Sequence, residues 1–139
     1  MEPKIIQGNT FSDHRGSVVF VNDFKFNDIE RFYIISNSDE HPVRAWQGHK
    51  IEAKNLYCIQ GSFRVCFVKI DNWENPSPDL EVNSVVLKAD ENRILHIPAG
   101  YANAIVSLEK GSRLMLFSTL PLSRIEEDDV RFAPKTWNV

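Results

Sequence analysis

Nine short runs rich in Val, Ile, Phe and Tyr constrain the fold more than any other feature: SVVFVND, RFYIIS, VRAWQGH, NLYCIQ, FRVCFVKI, SVVLKA, RILHIP, AIVSL and RLMLFST. Each has the length of a strand. Between them lie DHRG, NSDEHP, QGS, DNWENPSPD, KADEN, PAG and EKGS, whose Gly, Pro, Asn, Asp and Ser favour turns and loops. No long segment keeps a helical period, and only IEEDDVRF near the C-terminus is compatible with a helical turn or two. Such a series predicts an all-β sandwich or barrel. The QGS at 60–62 reads as a hairpin turn in which Gly61 supplies the positive φ that other residues resist.

The 139 residues suffice for one domain, 1–139, with a loop at 71–79 and a short tail after Pro121. A net charge of −3 offers no basic field to nucleic acid or to an anionic membrane, so neither is an expected partner. No window approaches the roughly 20 apolar residues of a membrane span. The opening MEPKIIQGNTFSD lacks the apolar centre of a signal peptide, which makes the cytoplasm the expected location. Cys58 and Cys66 fall in separate apolar runs and read as small buried thiols.

The stretch VRAWQGHKIEAKN, residues 43–55, gathers Arg44, His49, Lys50 and Lys54. Strand alternation puts Gln47 and His49 on one face, with Trp46 and Gly48 on the other. An imidazole on the inner face of a small barrel suits proton transfer near neutral pH. Lys54 can offset the charge of a developing oxyanion, and the planar fork of Arg44 can hold a phosphate. The trio fits an anionic substrate that loses a proton. A single strand histidine is also commonly a packing residue, and spacing alone leaves both readings open.

The pattern Gln47-x-His49-x4-Lys54-x6-Gly61, followed by Pro98-Ala99-Gly100-x2-Asn103, resembles the two cupin motifs. Metal-binding cupins carry His-x-His, Glu and a final His there. In this chain Gln47 replaces the first histidine, Lys54 the glutamate and Asn103 the last histidine, so neither a metal nor another cofactor is expected. Residues 29–65 look like the 3,4-ketoisomerases of thymidine-diphosphate 4-keto-6-deoxy sugars. Asp13-x-Arg15-Gly16, ILHIPAGYANAI and LPLSRIEEDDVRFAPKTW look more like the 3,5-epimerases of the same substrate class.

The resemblance implies an all-β cupin jelly roll (double-stranded β-helix) that moves a proton alpha to the ketone of a nucleotide-linked keto-deoxysugar. It implies a catalytic pair of His49 as proton shuttle and Lys54 as counter-charge, and Tyr101, which follows the PAG turn, joins them as a candidate acid at the barrel mouth, with wall packing as its other reading. Arg15, Tyr33, Arg44, Gln47, Lys50 and Asn103 would then bind substrate. It also implies a homodimer, with Arg15 reaching a neighbouring subunit, in a pathway to surface polysaccharide precursors; Arg15 reads equally as a surface arginine of the DHRG turn. The ketoisomerase is favoured over the epimerase because His49 is kept, whereas Phe117, Leu120 and Leu122 stand where the epimerases place a tyrosine acid.

Gln47 occupies the position of a family histidine, and an amide cannot abstract a proton. That supports an alternative, a sugar-nucleotide-binding cupin without chemistry that acts as a sensor or accessory subunit. A purely structural dimerisation module is the third reading. Of the remaining candidates, His96 reads as a packed histidine, His14 and His41 as solvent-facing, and Trp46 and Trp73 as core or subunit interface. The acidic run at 126–129 reads as a solvated face near a helix start.

Overall fold

A computed structural model of the chain describes residues 1–139. All nine runs are strands, and three further strands join them. In chain order they begin with β1 (Lys4–Gln7), β2 (Asn9–Asp13), β3 (Gly16–Phe20), β4 (Arg31–Ile35), β5 (Val43–His49) and β6 (Lys54–Gln60). They continue with β7 (Ser62–Lys69), β8 (Asn83–Lys88), β9 (Arg93–Ile97), β10 (Tyr101–Ser107), β11 (Arg113–Ser118) and β12 (Val130–Arg131). A 3-10 helix, Leu122–Asp128, precedes β12. The sequence pattern misses β1, β2 and β12 because none of them has an apolar face to bury: all but two of their residues are exposed.

Two five-stranded antiparallel sheets form the body, in the orders β1-β9-β6-β11-β4 and β12-β5-β10-β7-β8, and the β2–β3 hairpin pairs only with itself. Period-two alternation explains how the sheets close on one another. Leu56 and Cys58 of β6, Leu95 and Ile97 of β9, and Leu114 and Leu116 of β11 point inward from the first sheet. They meet Phe63, Val65 and Phe67 of β7, Leu87 of β8 and Ile105 of β10 from the second. Burying a side chain of this size contributes about 1.5–3 kcal/mol. This is the jelly roll that the sequence predicts.

The outer face of the second sheet is also covered. Cys66, Val68, Ala102, Ala104 and Trp46 form a second apolar layer beneath the C-terminal tail. Trp137 of that tail packs edge-on against Trp46 at 5.3 Å between ring centroids, and the Trp46 indole N–H donates to the Trp137 carbonyl at 3.1 Å. Trp46 is therefore core, and β5 is held rigidly from outside while its other face looks into the barrel. Gly61 turns β6 into β7 with φ of +72°, as its place in QGS requires. No helix is long and apolar enough to cross a membrane.

Candidate active site

Strand register assembles one end of the barrel. Across the first sheet Ser118 of β11 stands opposite both Arg31 of β4 and Lys54 of β6, which puts the three side chains in a row on the inner face. From the second sheet β5 presents Gln47 and His49, with Asn103 of β10 directly across from Gln47. A register shift between Asn103 and Ile105 then brings Arg44 opposite Ile105 and into line with Gln47 at the cavity wall. The resulting cavity is about 790 Å³, lined by Arg31, Tyr33, Arg44, Gln47, Asn103 and Arg131 among others. A narrower recess of about 110 Å³ continues from it to His49, Glu52 and Lys54.

His49 is 6% exposed and its tautomer is set by a backbone carbonyl. With Nδ1 2.7 Å from the carbonyl oxygen of Asp128, that nitrogen donates its N–H, leaving Nε2 as the basic nitrogen of the neutral ring. Nε2 lies 3.3 Å from Oε2 of Glu52. Burial and then the Lys54 charge hold the imidazole below its ordinary range, while Glu52 and Asp128 pull the other way. The other Glu52 oxygen accepts from the Ser118 hydroxyl at 2.6 Å and the Arg31 guanidinium at 3.2 Å.

Lys54 is 4% exposed, and its ammonium donates to the Gln47 side-chain oxygen at 3.0 Å. Gln47 in turn donates to Asp129 at 3.0 Å, and Asp129 accepts from Arg131 at 2.6 Å. Gln47 is thus a link in a polar chain that runs from the buried Lys54 out to the exposed Asp129 and Arg131, as well as part of the cavity wall. Burial pushes the Lys54 ammonium down to about 8, with the Glu52 charge opposing. Folding therefore weakens proton binding at Lys54 relative to its ordinary 10.5. The cost is fully present below about pH 8 and fades as pH rises towards 10.5, because only the unfolded chain still holds the proton there. We expect urea denaturation to show a Lys54-dependent gain of about 3 kcal/mol across that window, absent from Lys54→Met.

Tyr33 completes the recess, with the Lys54 ammonium 6.0 Å and the Arg31 guanidinium 4.9 Å from its ring centroid. Its phenol is pushed up to about 12, by burial first and by Glu52 second, so it is a proton donor at neutral pH. The site can therefore accept a proton at an imidazole, stabilise a developing oxyanion with an ammonium and a phenol, and hold anionic groups with three arginines at its mouth.

Of the residues singled out from the sequence, His49, Lys54, Tyr33, Gln47, Arg44 and Asn103 line the cavity and its recess, and three others do not. Tyr101 stands across from His49 in register, yet its side chain packs edge-on against Phe67 at 6.3 Å and lines a separate cavity with Glu2 and Lys69. The expected acid is therefore absent from the recess, and Tyr33 is the phenol that faces it. Lys50 is exposed, because it follows His49 out of the strand and alternates to the outer side, where its ammonium lies 5.6 Å from the Trp73 ring centroid. Arg15 sits at the tip of the β2–β3 hairpin with its side chain 77% exposed and paired to Asp13 at 2.8 Å, away from this chain's own cavity. No group of three or more His, Cys, Asp or Glu side chains is placed to hold a metal ion.

Sequence reasoning missed Arg31, Glu52, Ser118, Asp128 and Arg131. A signal existed for Arg31, which lies two residues before Tyr33 on the same strand and so shares its face. Glu52 lies in the connection between β5 and β6, where no period applies. The acidic run is only partly a solvated face: Asp128 is 1% exposed and accepts the backbone N–H groups of Lys50, Ile51 and Glu52 at 2.6, 3.0 and 2.7 Å. His96 binds the Asn55 side chain at 2.7 Å, in keeping with a packing role.

The family model described as FdtA: WxcM-like, C-terminal matches residues 1–131. No curated protein sequence matches the chain. Among solved structures, the sugar 3,4-ketoisomerase QdtA from Thermoanaerobacterium thermosaccharolyticum, in complex with TDP, superimposes with a TM-score of 0.73 at 22% identity, covering 97% of this chain and 91% of that one. The TDP-quinovose 3,4-ketoisomerase WlaRB from Campylobacter jejuni gives 0.69 at 19% identity over 94% and 92%. The rmlC epimerase of Mycobacterium tuberculosis gives 0.70 at 20% identity over 85% and 63%. At these identities the likeness is one of fold.

Proposed function

Since the chain belongs to the FdtA family of WxcM-like C-terminal domains, we propose that it isomerises a nucleotide-linked 4-keto-6-deoxyhexose, moving the ketone between C4 and C3. The observation that carries this reading is the tautomer of His49, whose Nδ1–H is committed to the Asp128 carbonyl so that Nε2 becomes the base, beside a buried ammonium. The base removes the C3 proton alpha to the C4 ketone, Lys54 and Tyr33 stabilise the enediolate, the substrate's C3 hydroxyl proton passes to the C4 oxygen, and the same nitrogen returns its proton to C4. The sugar would occupy the recess and the nucleotide the larger cavity, with Arg31, Arg44 and Arg131 on the diphosphate. QdtA has been seen with TDP and with TDP-4-keto-6-deoxyglucose, which supports this choice of ligand.

The same reading places residues 1–139 as one functional cupin unit, in the cytoplasm, on a route to polysaccharide precursors and as a homodimer. Support for the dimer comes from the β2–β3 hairpin, where Phe11, Val18 and Val19 are all more than half exposed, a costly surface to leave in water. Arg15 at its tip would then reach the partner's cavity. A binder without chemistry is favoured by one observation: Gln47, at the family histidine position, is occupied by Lys54 and Asp129.

Proton NMR of the protein with TDP-4-keto-6-deoxyglucose in deuterated water separates these readings. Deuterium entering the sugar together with 3-keto product signals is the expected result. Deuterium at C3 and C5 with the ketone unmoved indicates an epimerase, and ligand shifts without exchange indicate the binder. No ligand shift at all overturns the assignment to nucleotide sugars.

A further inference from the structure

Glu52 is the carboxylate that the family resemblance does not account for, and its geometry beside His49 is unusual. Of the buried side-chain polar atoms, Nε2 of His49 and Oε2 of Glu52 are two of the four that lack a hydrogen-bond partner, and they lie 3.3 Å apart. Without a proton shared by the pair, two unpartnered acceptors sit side by side in a place closed to water, a costly arrangement. The Lys54 ammonium lies 3.8 Å from the same Oε2. The other nitrogen of His49 and the other oxygen of Glu52 are already committed, to the Asp128 carbonyl and to Ser118 with Arg31.

We propose that Glu52 and His49 form one acid–base unit that holds a single proton between Nε2 and Oε2, making Glu52 a positioning residue for the base. The charges around the pair explain why the unit needs both members. Arg31 and Lys54 from the first sheet and Arg131 from β12 contribute three positive charges, and Glu52, Asp128 and Asp129 three negative ones, with the neutral phenol of Tyr33 beside them. The proton on His49 therefore decides the net charge of the recess. An imidazolium buried next to Lys54 would be expelled without a carboxylate in contact with it. In the unprotonated unit Nε2 takes the C3 proton, alpha to the C4 ketone, while the C–H electron pair enters the enediolate. Glu52 stabilises the imidazolium so formed, the substrate's own C3 hydroxyl proton passes to the C4 oxygen, and Nε2 returns its proton to C4, leaving the ketone at C3 and the unit as it began.

The kinetic role of Glu52 rests on the proposed isomerisation, but the shared proton does not, so the first test uses the ligand-free protein. Histidine side-chain nitrogen NMR across pH reads the His49 midpoint directly. Glu52→Gln replaces the counter-charge with a neutral amide whose N–H faces Nε2, and is expected to lower that midpoint by about one pH unit, a tenfold loss of proton affinity. Glu52→Asp should recover part of it. Ser118→Ala keeps the carboxylate and removes only the hydroxyl that donates to it at 2.6 Å, which leaves a stronger acceptor beside Nε2 and raises the His49 midpoint by a smaller amount. A His49 midpoint unmoved in both Glu52→Gln and Ser118→Ala overturns the proposal, and Ser118→Ala alone decides if Glu52→Gln does not fold. In deuterium exchange the rising limb of the pH profile should move with the midpoint. Exchange that is absent from the wild type while the midpoint still moves would sink the isomerase reading and leave the shared proton standing.

Discussion

Deuterium wash-in from solvent into the keto sugar should fall by roughly 10²–10⁴-fold when His49 is replaced by asparagine, the range spanned by removal of a general base. Asparagine is the informative replacement because its side-chain N–H can still donate to the Asp128 carbonyl where Nδ1 now does, at 2.7 Å. The connection from β5 to β6 then keeps its anchor while the basic nitrogen disappears. Arg44 and Arg131 are untouched and remain on the cavity wall, so the ligand should still shift its NMR signals on binding. The expected pattern is therefore lost exchange with retained binding. An undiminished rate would move the base to Lys54 or Tyr33, the other two proton-carrying groups of the recess. Lys54 then becomes the stronger of the two, because burial brings its ammonium to about 8 whereas the phenol is held near 12.

The difference between what the sequence discloses here and what it hides follows from the range of the interactions involved. The inward face of β5 is a local property: alternation alone puts Gln47 and His49 together, and the structure keeps them on one wall. Lys54 follows from the same rule on β6, where Leu56 and Cys58 mark the inner face. The partners of these residues are not local. His49 and Asp128 are 79 positions apart, and Glu52 meets Ser118 across 66. Nothing in the run EEDD distinguishes Asp128, which is buried, from Glu126 and Glu127, which are exposed. Tyr101 shows the converse error. Its position after the PAG turn makes it a candidate for the barrel mouth, and strand pairing does set it across from His49, but pairing fixes only where a Cα lies, and the phenol follows Phe67 into another cavity.

Asp128 carries the second large effect, and it is one of stability. Its carboxylate has no exposed surface and accepts hydrogen bonds from three consecutive backbone N–H groups, those of Lys50, Ile51 and Glu52. Each buried donor left without an acceptor costs about 1–3 kcal/mol, part of which is recovered when the loop relaxes or water enters. Asp128→Ala should therefore lower the unfolding free energy by about 3–5 kcal/mol, read from urea denaturation at neutral pH. Asp128→Asn should fall between, since its amide keeps one acceptor but turns an N–H towards donors. The loss should also reach the chemistry. The loop that Asp128 holds carries Glu52, and the carbonyl that sets the His49 tautomer belongs to Asp128 itself. Slackening this anchor frees the imidazole to take either tautomer, so in Asp128→Ala protein that remains folded the exchange rate should fall although no residue facing the large cavity has changed. A variant as stable as the wild type would mean that water replaces the carboxylate at all three N–H groups, and that the helix only covers the recess without fixing it.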